Sequence, residues 1–261
     1  MFLADFHIHS NFSDGKLSIP ELVDLYGEQG FGAIAITDHL CESGTFLGKA
    51  ARMLEHTLTP ATFPLYIEIL RSEAERAREQ YGMVLLPGLE LTKNSVANSR
   101  SAHVLALNVE EFLDANDDVA DIATSIREAG GLSVVAHPVF TRKVEKQTFH
   151  IWSRRRELAE LFDAWEVASG PYLFSEVAES RLPKLANSDL HVRNQMTSWK
   201  TALDCERHPE AIMRAIRRQD LKIVYYDEER KSDPRKYINV RDLGRGPGDD
   251  DLRDQVNQAA L

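Results

Sequence analysis

Apolar residues along this chain follow two rhythms. Short continuous or alternating runs occupy 2–9, 32–37, 83–91, 102–107, 132–137, 163–169, 185–191 and 221–226, and read as strands. Between most of them, apolar positions recur three and four residues apart, the spacing of a helix with one buried face. The clearest case is LSIPELVDLYGEQGFG, where Ser18 reads as an N-cap, Glu21 completes a capping box and Gly30 closes the helix. Further helices are expected over 63–81, 117–129, 150–162, 173–182 and 208–218. Strands alternating with helices imply βαβ units and a mostly parallel sheet, and this many strands favour closure into a barrel over an open sheet.

Two segments interrupt the alternation. Residues 40–82 separate the second and third strands by more than one crossover helix requires, and they hold a helix pair. This insertion leaves the sheet on the side where strands end, so it is expected to act as an active-site lid. After Tyr226 the chain is rich in charge, Gly and Asp, and residues 227–261 are expected to form a peripheral charged tail. Nothing else divides the body, so residues 1–226 are read as a single domain.

Composition narrows the function classes. A formal net charge of −10 argues against sequence-independent binding to long nucleic acid. The two cysteines, Cys41 and Cys205, form no CxxC pair, which argues against both a disulfide framework and a thiolate zinc site. No apolar run is long enough to span a bilayer and no signal-peptide pattern opens the chain, so a cytoplasmic protein is expected.

The chemistry gathers where strands end. Residues two apart in a strand share a face, so Asp5, His7 and His9 are expected on one side of the first strand, with Phe2, Ala4, Phe6 and Ile8 on the other. Two imidazoles side by side at a strand end suit a metal. Asp38 and His39 follow the second strand, Glu90 lies in GLEL, His103 opens AHVLAL, His137 closes VVAHP, and Asp189 and His191 close ANSDLH. Six of the nine histidines stand at such positions. In barrel enzymes these ends meet at one mouth, so the side chains are expected to converge.

HIHSNFSDG, ITDH, GLE, AHVLAL, AHP and SDLH, in that order, resemble the motifs of the polymerase-and-histidinol-phosphatase (PHP) family. The resemblance covers roughly residues 1–195. It implies an α/β fold, a distorted (β/α)7 barrel of TIM-like PHP type with an inserted helical segment after the second strand. It also implies a metal-dependent phosphoesterase, a hydrolase of phosphoric esters. Carried over position by position, it implies three divalent cations. His7, His9, Glu90 and Asp189 would hold one, and His103, His137 and a bridging Glu90 the second. Asp14, His39 and His191 would hold the third. Asp189 and His191 are also the residues expected to act in catalysis.

Neutral imidazoles with three carboxylates contribute about −3 and three divalent ions about +6, leaving a surplus that attracts a phosphate dianion. Metal-bridging hydroxide is the expected nucleophile. Imidazole and carboxylate ligands suit Mn, Fe or Zn, with two or three ions bound. Asp5 and Asp38 are expected to orient imidazoles from behind. Among the nearby cations Lys93, Arg100, Arg142, Lys143 and Arg193, the substrate-binding expectation falls on Arg142 and Arg193. The expected substrate is a small phosphomonoester such as a nucleotide, sugar phosphate or amino-alcohol phosphate. A phosphodiesterase or exonuclease, a non-catalytic metal-binding module and a metal-dependent amidohydrolase are the alternatives. Oligomeric state is left open.

Overall fold

The computed structural model describes residues 1–95, 101–139, 149–228 and 236–243. The first βαβ unit forms as its pattern predicts. Strand β1 (Phe2–Asp5) leads to helix α1 (Ile19–Glu28) and then to the parallel strand β2 (Ala33–Ile36). At the start of α1 the Ser18 N–H donates to Glu21 Oε2 at 2.8 Å, and beyond its end Gly30 takes a left-handed φ of 79°. Ile19, Leu22, Val23, Leu25 and Tyr26 form the buried face.

After β2 come β3 (His39–Cys41), α2 (Phe46–Met53), α3 (Phe63–Tyr81) and β4 (Val84–Lys93). Helix α3 buries Phe63, Tyr66, Ile67, Leu70 and Ala77. Its Tyr66 hydroxyl donates between the Ile36 and Gly88 carbonyls, at 3.0 and 2.9 Å, on neighbouring strands. The second helix of the inserted segment thus covers the sheet, as a crossover helix does. Residues 42–62 remain as the excursion between β3 and α3.

The rest of the sheet comprises β5 (Ala102–Leu107), β6 (Leu132–Val135), β7 (Ala164–Ser169), β8 (Tyr172–Leu173), β9 (Lys184–Asn187), β10 (Ser198–Leu203), β11 (Leu221–Tyr226) and β12 (Ile238–Asn239). Strand order is β12-β11-β10-β1-β2-β4-β5-β6-β7-β8, with β3 also on β4 and β9 also on β7. Beyond β1 and β9, a parallel bridge joins Ile8 to Leu190. The fold is therefore mixed α/β, with a curled sheet whose two limbs meet at that bridge.

The sheet is not mostly parallel. β5 runs antiparallel to both β4 and β6, and β10 antiparallel to both β1 and β11. Residues 94–101 between β4 and β5 are too few for a parallel crossover, which takes about a dozen or more. The reversal matters for the site. His103, at the start of β5, stands opposite Thr92 near the end of β4, at the rim where the parallel strands finish.

Several helices are shorter than their periodicity suggests. The stretch 150–162 forms α5 (Phe149–Ser153) and α6 (Arg155–Leu158), and 173–182 forms only α7 (Ser175–Ala178). Helices α4 (Val119–Glu128) and α8 (Pro209–Arg218) match expectation closely. Part of the tail returns to the sheet. β12 pairs with β11, and Ile238, Val240 and Leu243 are buried. No helix among the described residues is long and apolar enough to cross a membrane.

Candidate metal centre

Seven chain segments bring nine side chains to one end of the curled sheet. His7 and His9 follow β1 on either side of the bridging Ile8, whose own side chain is buried in the core. Asp14 lies in the loop before α1, His39 opens β3, Glu90 sits in β4 and His103 opens β5. His137 follows β6, while Asp189 and His191 follow β9. The convergence expected from the strand ends is what the structure shows.

Their ligand atoms fall into four overlapping groups, each with all atoms within 4.8 Å of one another: His9, Asp14, His39 and His191; His7, His137 and Asp189; His7, His9 and Glu90; Glu90, His103 and His137. Glu90 is the hub. Its oxygens stand 3.4 Å from His7 Nε2, 3.7 Å from His9 Nε2, 2.7 Å from His39 Nδ1, 3.0 Å from His103 Nδ1 and 3.5 Å from His137 Nε2. At the rim, Asp14 Oδ1 is 3.6 Å from His39 Nε2 and 3.2 Å from His191 Nε2. The ligand set implied by the resemblance is brought together, with His9 grouped alongside the rim residues as well as with His7 and Glu90.

The charge states follow from this crowding. Burial opposes ionisation of Glu90 and Asp189, but the imidazoles around each outweigh it and hold both well below the usual carboxylate range. Burial also opposes protonation of His7, yet Asp189, Glu166 and Glu90 raise it well above an ordinary imidazole. His191 is pushed up to about 9, where Asp14 and Asp189 overcome the burial penalty. His9 goes the other way, to about 3, because burial and the neighbouring His39 and His191 both disfavour a second charge there. Without cations, protons hold the carboxylates together.

These residues fit divalent cations. His7 Nε2 and both ring nitrogens of His9 are buried yet make no well-aligned hydrogen bond, an expensive state for polar atoms in a protein interior. The donors are imidazole nitrogen and carboxylate oxygen with no thiolate, a set suited to first-row divalent metals. His137 and Asp189 also adopt left-handed backbone, with φ of 26° and 53°. Non-glycine residues hold that conformation only where their surroundings require it, commonly at functional sites.

The supporting residues differ from those the sequence suggests. Asp5 does not orient a histidine. Its carboxylate pairs with Lys200 Nζ at 3.0 Å, accepts from the Tyr26 hydroxyl at 2.7 Å and accepts the Ser188 N–H at 3.0 Å. A buried lysine arriving on β10 draws Asp5 away from the imidazoles. Asp38 also misses them. It accepts from Ser10 N at 2.8 Å, Ser10 Oγ at 2.5 Å and Ser13 Oγ at 2.5 Å, and so pins the loop that carries Asp14. Gly15 completes that loop, since a Cβ there would lie 2.2 Å from the His9 carbonyl oxygen.

Sequence reading missed the groups that do face the imidazoles. Glu166 Oε1 lies 2.9 Å from His7 Nδ1, Thr92 Oγ1 lies 2.8 Å from His39 Nδ1, and Asn94 Oδ1 lies 3.2 Å from His103 Nε2. The signal for Glu166 was a lone carboxylate inside the apolar run AWEVAS, which a buried strand tolerates only with partners. Among the expected substrate-binding cations, Arg142 lies outside the described residues, as do Arg100 and Lys143. Arg193 is exposed and paired with Glu228 at 3.0 Å. Lys93 is committed elsewhere, donating to the carbonyls of Ala115, Asn116 and Asp117.

Residues 5–124 match the PHP domain family model. The resemblance to the PHP family stands. The matched stretch contains His7, His9, Asp14, His39, Glu90 and His103, whereas His137, Asp189 and His191 lie beyond it and join the set through the fold. No curated protein matches the chain. Among solved structures, it is similar to a two-domain protein from Bacteroides vulgatus containing a predicted PHP-like metal-dependent phosphoesterase, at a TM-score of 0.63 and 20% identity over 86% of this chain. The chain spans 64% of that protein's length. It is also similar to an amidohydrolase from Chromobacterium violaceum, solved with bound sulfate and no metal, at a TM-score of 0.52 and 17% identity. That match covers 85% of this chain and 97% of the other. At such identities these two likenesses speak for the fold.

Proposed function

We propose that the chain is a PHP-type metal-dependent hydrolase of small phosphomonoesters, built on a distorted (β/α)7 barrel formed by β1, β2, β4, β5, β6, β7 and β9. The observation that carries this reading is Glu90, a buried carboxylate facing five imidazoles at the rim where two further carboxylates converge. Two or three divalent cations, of the Mn, Fe or Zn kind, would supply the positive charge that binds a phosphate dianion and lowers the pKa of water.

The protein's own part is to place and shape that charge. His7, His9, Glu90 and Asp189 would hold one ion, His103 and His137 with Glu90 a second, and Asp14, His39 and His191 a third. Metal ligation needs neutral imidazoles, so the ligand set would then contribute only the negative charge of three carboxylates, and anion affinity here depends on the ions. Asp189 and His191, with side chains 16% and 26% exposed, line the open side and are the groups proposed to meet the reacting phosphoryl. Arg193 would exchange Glu228 for substrate phosphate, and Arg142 is proposed for the same task. Of the inserted segment, residues 42–62 are the part proposed to limit substrate size, because α3 is packed on the sheet. The acidic chain favours a small substrate over long nucleic acid. A small phosphorylated metabolite in the cytoplasm fits this reading.

Purified protein supplied with Mn²⁺ should hydrolyse p-nitrophenyl phosphate and leave its bis-ester and a dinucleotide intact. Cleavage of the diester alone would replace this reading with a phosphodiesterase. No turnover of any of them with Mn²⁺, Fe²⁺ or Zn²⁺ would overturn the catalytic reading.

A further inference from the structure

Glu166 is fully buried, carries no ligand role in the groups above, and touches two of the ligand residues at once. Oε1 lies 2.9 Å from His7 Nδ1, and Oε2 accepts the His137 backbone N–H at 2.7 Å. Oε1 also accepts from Asn187 Nδ2 at 2.8 Å, and Asn187 Oδ1 in turn accepts the Phe6 N–H at 2.9 Å. One carboxylate on β7 therefore ties together the chain after β1, the end of β6 and the end of β9. That is the seam where the two limbs of the sheet meet through the Ile8–Leu190 bridge.

An ionised carboxylate can only accept hydrogen bonds. Facing Glu166, His7 must keep a proton on Nδ1, which leaves Nε2, 3.3 and 3.4 Å from Asp189 Oδ1 and Glu90 Oε1, as the ring atom offered to a cation. The other oxygen holds the backbone of His137 at its left-handed φ. We propose that Glu166 is a positioning residue that presets the centre before any cation arrives, fixing the His7 tautomer through one oxygen and the His137 backbone through the other. This inference rests on the reading that the nine side chains hold cations, and it assigns to one side chain the alignment of ligands from two of their groups.

Glutamine cannot do both. Its amide has one acceptor oxygen, whereas the Asn187 amide, the His137 N–H and the His7 Nδ1–H are three donors sharing two carboxylate oxygens. E166Q therefore either turns the His7 tautomer or releases His137, at nearly unchanged volume.

The test uses the full chain and Zn²⁺ alone as the probe. In competition with a chromophoric chelator, E166Q should bind Zn²⁺ about 10–100-fold more weakly than the natural protein. In the ¹⁵N-histidine-labelled natural protein loaded with Zn²⁺, long-range ¹H–¹⁵N spectra should show His7 protonated on Nδ1 and not on Nε2. Signals are assigned by their loss in H7Q. Unchanged Zn²⁺ affinity in folded E166Q, or a His7 proton on Nε2 in the Zn²⁺-loaded natural protein, would overturn the proposal. The second measurement needs no Glu166 variant, so misfolding of E166Q leaves it decisive. Neither measurement depends on turnover. Zn²⁺ binding with the expected tautomer in a protein that cleaves no phosphoester would remove the proposed function and leave the role of Glu166 in place.

Discussion

Around Glu90 the side chains of His7, His103 and His137 are sealed from solvent, whereas Asp14, His39 and His191 stand at the rim with side chains 31%, 14% and 26% exposed. The sealed side is braced from strands. Glu166 and Asn187 lie in β7 and β9, and Glu90 itself lies inside β4. The rim is braced mainly from loops and turns, by Asp38 on Ser10 and Ser13 and by Gln195 accepting the His191 N–H at 2.6 Å, with Thr92 of β4 beside His39 the one strand residue among them. A charge without solvent must have all its partners built in, so the sealed side is part of the core and moves only with it. Rim groups can exchange partners with water. The two sides should therefore fail differently when disturbed.

The largest effect is expected at the hub. Glu90→Gln keeps the shape but removes the charge that five imidazoles share, and should lower Mn²⁺-dependent phosphomonoester turnover by more than about 100-fold. It should also cost more than one equivalent of bound metal, read by elemental analysis. Loss of a single equivalent would mean that Glu90 is no hub.

A smaller loss is expected at the rim. Asp14→Asn should remove one equivalent of metal and lower turnover about 10–100-fold, while the metal held around Glu90 stays. Depletion of all bound metal in this variant would show that the two sides are not separable.

The third test is pH. In the metal-free protein His191 sits at about 9 and so carries a proton at neutral pH, His39 is shifted in the same direction, and His9, at about 3, carries none. Metal ligation needs neutral imidazole, so rim binding must expel protons and affinity should rise with pH up to about 9. Calorimetry of metal binding in buffers of different ionisation enthalpy should record proton release in the natural protein and less of it in Asp14→Asn. Release unchanged by that substitution would place the protons elsewhere.

The smallest effect is on stability. Gly15→Ala puts a Cβ against the backbone of His9 and Ser10, and should cost about 1–3 kcal/mol in thermal unfolding of the metal-free protein. A melting temperature equal to that of the natural protein would show that the Asp14 loop is slack.

Much of this was written in local pattern. Alternating strands and helices predict the mixed α/β body, α1 is legible down to its cap, and the ligand positions stand out because histidines rarely gather at strand ends. Other elements were hidden by residues whose local meaning is misleading. β10 escaped because SWKTAL carries a lysine, which reads as surface. Lys200 is fully buried instead, with its charge met by Asp5. The same pair explains why Asp5 does not serve a histidine.

By itself the sequence determined which atoms can bind and where along the chain they fall, since period-two patterning and strand-end placement are local properties. Tertiary structure alone decided who stands behind them: Glu166 behind His7, Asp38 behind the Asp14 loop, and a reversed β5 that delivers His103 to the rim. The reason is physical. A buried polar group must find a partner, and that partner is chosen by which strands lie side by side, a pairing across as many as 183 residues for Asp5 and Ser188 that no local pattern encodes.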